Sequence, residues 1–253
     1  MDNPKAKQLR NLINQKNSKL CLSLDVPRWN IFFSILDNVG KKIVLLKVHL
    51  DIMENLNYDN LKQLFDMKKK YNFLIWEDRK LCDIGHTNLL VVEKLLSYQF
   101  YDNFNNNNNI KQTEYHSQKL IDYISILPMG GELSLSSLLD LDIGIFLLAE
   151  MSSKDNFFNS NITTNILQLM KKYPNNIAGI INQKIEPFII KYPMLSITPG
   201  ISMGNKTTKD SMGQQYRNIS DLKGKTDIFV IGRAIYQSNN PGQTVDMLLS
   251  SLK

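Results

Sequence analysis

Lys47, His49, Asp78, Lys80 and Asp83 are the residues of this chain whose types and spacing could do chemistry together. Lys47 and His49 stand two apart at the end of the apolar run IVLLKVH (43–49). Asp78 and Lys80 stand two apart at the end of FLIWED (73–78) and just beyond it. In an extended strand, residues two apart share a face, so each pair points one way. Ammonium groups set among carboxylates can stabilise negative charge as it develops in a transition state. Negative neighbours also favour the ammonium form of a lysine, which can later hand on its proton. Taken singly, each residue reads as half of a surface salt bridge. Only convergence at one mouth makes them a site, so the elements that carry them decide the matter.

Eight short apolar runs recur along the chain: 20–26, 43–49, 73–78, 123–127, 145–151, 177–182, 194–200 and 228–234. They are apolar on both faces, as strands of a parallel sheet covered by helices must be. Between them lie segments with helical spacing, at 51–71, 161–173 and 241–252, and 3–16 reads as a helix before the first strand. Eight alternations in 253 residues predict one (β/α)8 barrel over 1–253. A doubly wound open sheet is the other arrangement of such elements, but no G-x-G-x-x-G follows the first strand. The regularity breaks near 99–115, where FNNNNNI (104–110) points to a loop insertion without chemistry.

Barrel active sites lie at the carboxyl ends of the strands. Those ends carry Asp25; Lys47 and His49; Asp78 and Lys80, followed by Asp83; Glu150, Met151 and Ser152; Pro199 and Gly200; and Gly232 and Arg233. Barrels often bind phosphate after strands seven and eight, where glycines admit the backbone closely and arginine offers paired donors. Pro199-Gly200 and Gly232-Arg233 fit that use. The polar stretch between them, with Gly204 and Gly213, suits a lid.

Composition narrows the classes. Hydrophobic residues make up 43% and charged residues 21%, which excludes global disorder. Two cysteines, Cys21 and Cys82, cannot staple a fold of this size and fit a reducing compartment. No Cys/His cluster has zinc spacing. The N-terminus lacks the apolar core of a secretory signal, and no apolar run is long enough to span a bilayer. The net charge of +6 is spread over scattered lysines and reads as a solvated surface. A basic site for small anions and a nucleic-acid face are the other readings of that charge.

The segment WEDRKLCDIGHT (76–87) resembles the D-R-K-x-x-D-I-G-x-T signature of the orotidine 5′-phosphate decarboxylase family. Other blocks resemble the family in order: LSLDV (22–26), LLKVHLD (45–51), LAEMSSK (148–154), ITPGI (197–201), GQQYR (213–217) and VIGRAI (230–235). The resemblance runs from about Leu20 to Gln237. It implies a cofactor-free, metal-free carboxy-lyase making UMP and CO2 in pyrimidine biosynthesis, with Lys47, Asp78, Lys80 and Asp83 as its catalytic network. It implies that Asp25 and Lys47 hold ribose hydroxyls with His49 close by. Ser152 and Gln214 would read the pyrimidine. Gln214, Tyr216, Gly232 and Arg233 would clamp the phosphate beside Pro199. It also implies a cytoplasmic homodimer in which Asp83 and Thr87 enter the neighbouring subunit's site. With about twenty residues before the first strand, a single-activity chain is expected. Cys82 is expected to pack, and His86 to be a polar loop residue. The sequence departs from many relatives after strand four, where Ile126-Leu127-Pro128 stands in place of Asn-Ala-His. Two rivals remain: a metal-dependent sugar-phosphate lyase or decarboxylase of the same barrel superfamily, and a non-catalytic barrel that binds phosphate or nucleic acid.

Overall fold

Asparagines set the boundaries of several helices. A computed structural model describes residues 3–101, 117–183, 194–202 and 215–252. Helix α1 (Pro4–Lys16) begins where the Asn3 side chain accepts the N–H groups of Lys5 and Ala6, with proline at the first position, and ends at Asn17 in the left-handed region. Asn57 caps α3 (Tyr58–Tyr71), which ends at left-handed Asn72, and Asn159 caps α6 (Ser160–Lys172). The other helices are α2 (Trp29–Val39), α4 (Gly85–Leu96), α5 (Glu132–Ser136), α7 (Ile219–Leu222), α8 (Arg233–Tyr236) and α9 (Pro241–Leu252). The helix expected from 51 starts only at Tyr58. Leu50–Ile52 forms a short 3-10 turn, and the Asn57 cap lies after it.

Each of the eight apolar runs overlaps a strand: β1 (Leu20–Ser23), β2 (Leu45–Val48), β3 (Leu74–Leu81), β4 (Tyr123–Ile126), β5 (Gly144–Leu148), β6 (Ile177–Ile181), β7 (Leu195–Thr198) and β8 (Ile228–Ile231), of which β3 runs on past 78 and β5 starts one residue early. All neighbours pair in parallel, and β8 pairs with β1 to close the barrel. Alternation divides the apolar side chains into two clusters. Leu22, Leu46, Ile75, Ile124 and Phe229 face the helices. Cys21, Leu45, Trp76, Tyr123, Phe146 and Val230 fill the interior, together with Ala6, Leu9 and Leu12 of α1. Helix α1 lies at the amino ends of the strands. Arg10 donates to the Met194 carbonyl just before β7, and Lys16 to the carbonyls of Ile43 and Asn72 just before β2 and β3. With that end plugged, the carboxyl end is the open one.

The asparagine run falls in 102–116, outside the described residues. The insertion expected near 99–115 is entered by an antiparallel ribbon, Gln99–Tyr101 against Ser117–Lys119. Buried Phe100 anchors it by stacking on Phe65 of α3 at 5.0 Å.

Candidate active site

Inner-face positions change character along the strands. Leu45 is followed by Lys47, and Leu74 and Trp76 by Asp78, so apolar filling gives way to charge at the carboxyl end. Lys47 Nζ lies 3.0 Å from Asp78 Oδ2 and 3.7 Å from Asp25 Oδ1. Lys80 Nζ lies 2.8 Å from the same Asp78 Oδ2. The imidazole of His49 sits between oxygens, with Nδ1 2.8 Å from Asp25 Oδ1 and Nε2 3.0 Å from the Asp78 carbonyl. Ser23 donates to Asp25 Oδ2 at 3.1 Å.

Simple alternation does not account for Lys80. Between Glu77 and Leu81 the register of β3 against β4 shifts, and Lys80 adopts φ +56°. A side-chain-bearing residue in the left-handed region costs of order 1–3 kcal/mol and persists only where its surroundings enforce it. The irregularity leaves the ammonium group folded back on Asp78 at the cavity rim.

These charges hold one another ionised. At Lys47, burial works against the charge, but Asp78 and Asp25 outweigh it and raise the ammonium above the ordinary lysine value. Burial would raise Asp78, yet Lys47, Lys80 and a hydrogen bond from Ser125 hold it below the usual carboxylate range. Burial is likewise outweighed at Asp25, by the His49 hydrogen bond and the charge of Lys47.

Glu77, the neighbour of Asp78, behaves oppositely. It is 4% exposed, and burial pushes it up to about 7 although Oε2 accepts the Leu50 N–H at 2.9 Å. His49, Asp51 and Asp78 are the titratable groups around it. Between the ordinary carboxyl value of 4.5 and about 7, the folded chain keeps a proton that the unfolded chain has released. This contribution to stability is therefore full below that window and falls as pH rises through it, by about 3 kcal/mol in all. Glu77→Gln keeps an oxygen for Leu50 and carries no charge, so it should flatten the fall. Urea midpoints of wild type and variant at about pH 5 and about pH 8 check this; the same pH dependence in both would refute the assignment.

Opposite the charged row, loops after β5, β7 and β8 complete a cavity of about 260 Å³. Ser152, Pro199, Tyr216, Gly232 and Arg233 all line it, with Asp25, Lys47, Asp78 and Lys80. Gly200 has φ +75°, a turn that favours glycine. Gly232 packs on β1 so closely that a Cβ would stand 2.9 Å from the Ser23 carbonyl oxygen. Arg233 lies 5.5 Å from the Tyr216 ring, a cation–π distance. Gln214 is outside the described residues, but the next residue, Gln215, donates its N–H to the Ser152 carbonyl at 3.1 Å. Glu150, which also lines the cavity, accepts the Gln183 N–H, and Arg217 donates to the Gln183 carbonyl.

Residues 18–248 match the "Orotidine 5'-phosphate decarboxylase / HUMPS" family. The chain belongs to this family. Curated relatives named orotidine 5′-phosphate decarboxylase include one from Candida glabrata, 30% identical over 95% of this chain and 87% of that protein. Another, from Pichia kudriavzevii, is 31% identical over 94% and 87%. Among solved structures, orotidine 5′-monophosphate decarboxylase from Methanocaldococcus jannaschii, complexed with inhibitor BMP, aligns with TM-score 0.67 over 93% of this chain and 99% of that one, at 22% identity. That last likeness bears on the fold.

Within this decarboxylase-family barrel, two of the residues picked out in the signature stand apart from the cavity. Asp83 is exposed, and its Oδ1 accepts the Ile84 N–H at 2.7 Å. Thr87 is half-buried in the first turn of α4, and neither residue lines the cavity. Cys82 is exposed rather than packed, because it follows β3 at the surface; His86 is exposed as well. Sequence reasoning missed Ser23, Trp76, Ser125 and Tyr236. Ser23, Trp76 and Tyr236 line the cavity, and Ser125 touches Asp78 from behind. Strand parity would have found Ser23 and Ser125, the polar inner-face positions of β1 and β4. Among the described residues, no three His, Cys, Asp or Glu side chains are grouped to hold a metal, and no helix is long and apolar enough to cross a membrane.

Proposed function

We propose that this chain converts orotidine 5′-phosphate to UMP and CO2 for pyrimidine biosynthesis, without a cofactor. The observation that carries this reading is the Lys47–Asp78–Lys80 row, set in a cavity whose far rim is Pro199, Gly232 and Arg233. Cleavage of the bond between C6 and the carboxylate leaves the electron pair on C6, with no adjacent group to delocalise it. Fixed charge must then do that work, in a site where it needs no reorganisation. Of the two lysines lining the cavity, Lys80 offers the more exposed ammonium group. It stabilises the carbanion, gives its proton to C6 and is reprotonated from solvent. Asp78 holds Lys80 and Lys47 in place, and its repulsion of the substrate carboxylate is relieved as CO2 departs. Asp25 and Lys47, with His49 alongside, take the ribose hydroxyls. Ser152 and Gln214 read the pyrimidine, and Tyr216, Gly232, Arg233 and Gln214 take the phosphate. Binding energy from the phosphate, remote from C6, is available to position the reacting end.

The active unit in this reading is a cytoplasmic homodimer with Asp83 and Thr87 crossing into the partner's site. Exposed apolar residues near Asp83 support it: Ile84 is 67% exposed, Met129 56% and Leu133 78%. The reading keeps one barrel domain and assigns no chemistry to the Asn-rich insertion near 99–115. A metal-dependent sugar-phosphate lyase is the competing reading of the same barrel.

Purified protein should deplete orotidine 5′-phosphate, followed by ultraviolet absorbance, at the same rate with and without excess EDTA. Loss of turnover on chelation, restored by a divalent metal, would favour the competing reading. No turnover by folded protein would direct the search to sugar phosphates with Mg²⁺.

A further inference from the structure

Asp78 has two oxygens with separate duties. Oδ2 faces both lysines, at 3.0 Å from Lys47 and 2.8 Å from Lys80. Oδ1 accepts a hydrogen bond from the Ser125 hydroxyl. Behind Ser125, the indole Nε1–H of Trp76 donates to Ser125 Oγ at 2.9 Å. Trp76 and Ser125 are each 1% exposed and Asp78 is 4% exposed, so water does not compete for these bonds.

The donor inventory sets the direction of this chain. An indole N–H can only donate, and a serine hydroxyl has one hydrogen and two lone pairs. Trp76 occupies a lone pair of Ser125, leaving the single hydrogen for Asp78. A carboxylate torsion is broad and nearly two-fold when nothing fixes it. With Oδ1 tied down, that freedom is gone, and Oδ2 is presented to the lysines in one orientation. We propose that Ser125, oriented by Trp76, is a positioning residue that locks the plane of Asp78 and through it the place of the Lys80 ammonium group. This rests on the decarboxylase reading above. Ser125 is not among the residues lining the cavity, so its effect passes through its partners, and Asp78 is the one that holds the lysines.

The consequence is a kinetic split. Misplacement of a reacting group by about 1 Å can cost roughly 10²-fold in rate. Ser125→Ala should lower kcat roughly 10- to 100-fold while KM changes little. Ser125→Thr keeps the hydroxyl and should recover most of kcat. Trp76→Phe should lower kcat less than Ser125→Ala does. Its effect on kcat should disappear in the Ser125→Ala background, because a donor to a missing hydroxyl orients nothing.

The test measures kcat and KM for orotidine 5′-phosphate in all four proteins beside wild type, with thermal unfolding of each. Wild-type kcat in folded Ser125→Ala overturns the proposal, and so does a loss confined to KM. If Ser125→Ala does not fold, the other two variants decide. Ser125→Thr with most of the wild-type kcat and Trp76→Phe with lowered kcat at unchanged KM uphold the proposal, and any other pattern overturns it. Absence of turnover in wild type would overturn the decarboxylase reading itself, which keeps the two failures distinct.

Discussion

Lys80→Ala protein should fold as the wild type does and turn over orotidine 5′-phosphate slower by roughly 10⁵-fold or more. The size of the loss follows from the double role. Preorganised charge at a transition state is worth roughly 10²–10³-fold, and a positioned proton donor roughly 10²–10⁴-fold. In the proposed mechanism one side chain supplies both, so the two losses coincide. Retention of the fold follows from the contacts left behind. Without Lys80, Asp78 still has Lys47 at 3.0 Å and the Ser125 hydroxyl, so no buried charge is orphaned. Lys47→Ala would be a poorer probe. Lys47 is buried and pairs with both Asp78 and Asp25, and breaking such a buried network costs about 3–5 kcal/mol. Lys80→Arg should be nearly as inactive, because a guanidinium keeps charge but does not give up its proton in a protein. Single-turnover kinetics of the three proteins, with thermal unfolding as the control, check this. Activity of Lys80→Ala within about tenfold of wild type would remove Lys80 from the chemistry.

The barrel was legible in the sequence because each strand had to be apolar on both faces. Such runs stand out from helical spacing, and all eight positions contain the expected strands. The charged row was legible for a related reason: Lys47 and Asp78 interrupt those apolar runs at their ends, where alternation points them inward. Parity alone could not reveal the twist that brings Lys80 back to Asp78. That depends on a register shift between β3 and β4 and a left-handed φ at a lysine, which no local pattern marks. Ser125 was hidden by its chemistry, since a serine in an apolar run reads as filler until its partners are known. Glu77 was hidden by Asp78 beside it. In the sequence they are two acids, yet burial lifts Glu77 to about 7 while lysines hold Asp78 down. Arg217 and Arg233 are told apart only by the structure. Arg217 sits in the block that resembles the phosphate region, but its guanidinium binds the Gln183 carbonyl, leaving Arg233 at the cavity.

Mixing two inactive variants, Asp83→Ala and Lys80→Ala, should restore roughly a quarter of wild-type activity. Within one chain, Asp83 is exposed and outside the cavity; in the proposed dimer it meets the substrate of the second copy. An exposed apolar surface lies beside Asp83. A Cβ on Gly130 would stand 3.1 Å from the Asp83 carbonyl oxygen, and one on Gly85 would stand 2.7 Å from that of Leu133. The exposed residues Ile84, Met129 and Leu133 therefore share one edge with Asp83. A two-fold dimer repeats its contacts, so each site would join Lys80 of one subunit to Asp83 of the other. In a hybrid, one site inherits both lesions and the other inherits neither. Random exchange of equal amounts makes about half the dimers hybrid, each with one intact site of two, which yields roughly one quarter. If Asp83 instead served its own subunit, every hybrid site would carry one lesion and no activity would return. Subunit exchange, verified by mass spectrometry of differently tagged chains, removes slow mixing as an explanation. A result near zero would then place Asp83 in its own subunit's site or outside the chemistry altogether.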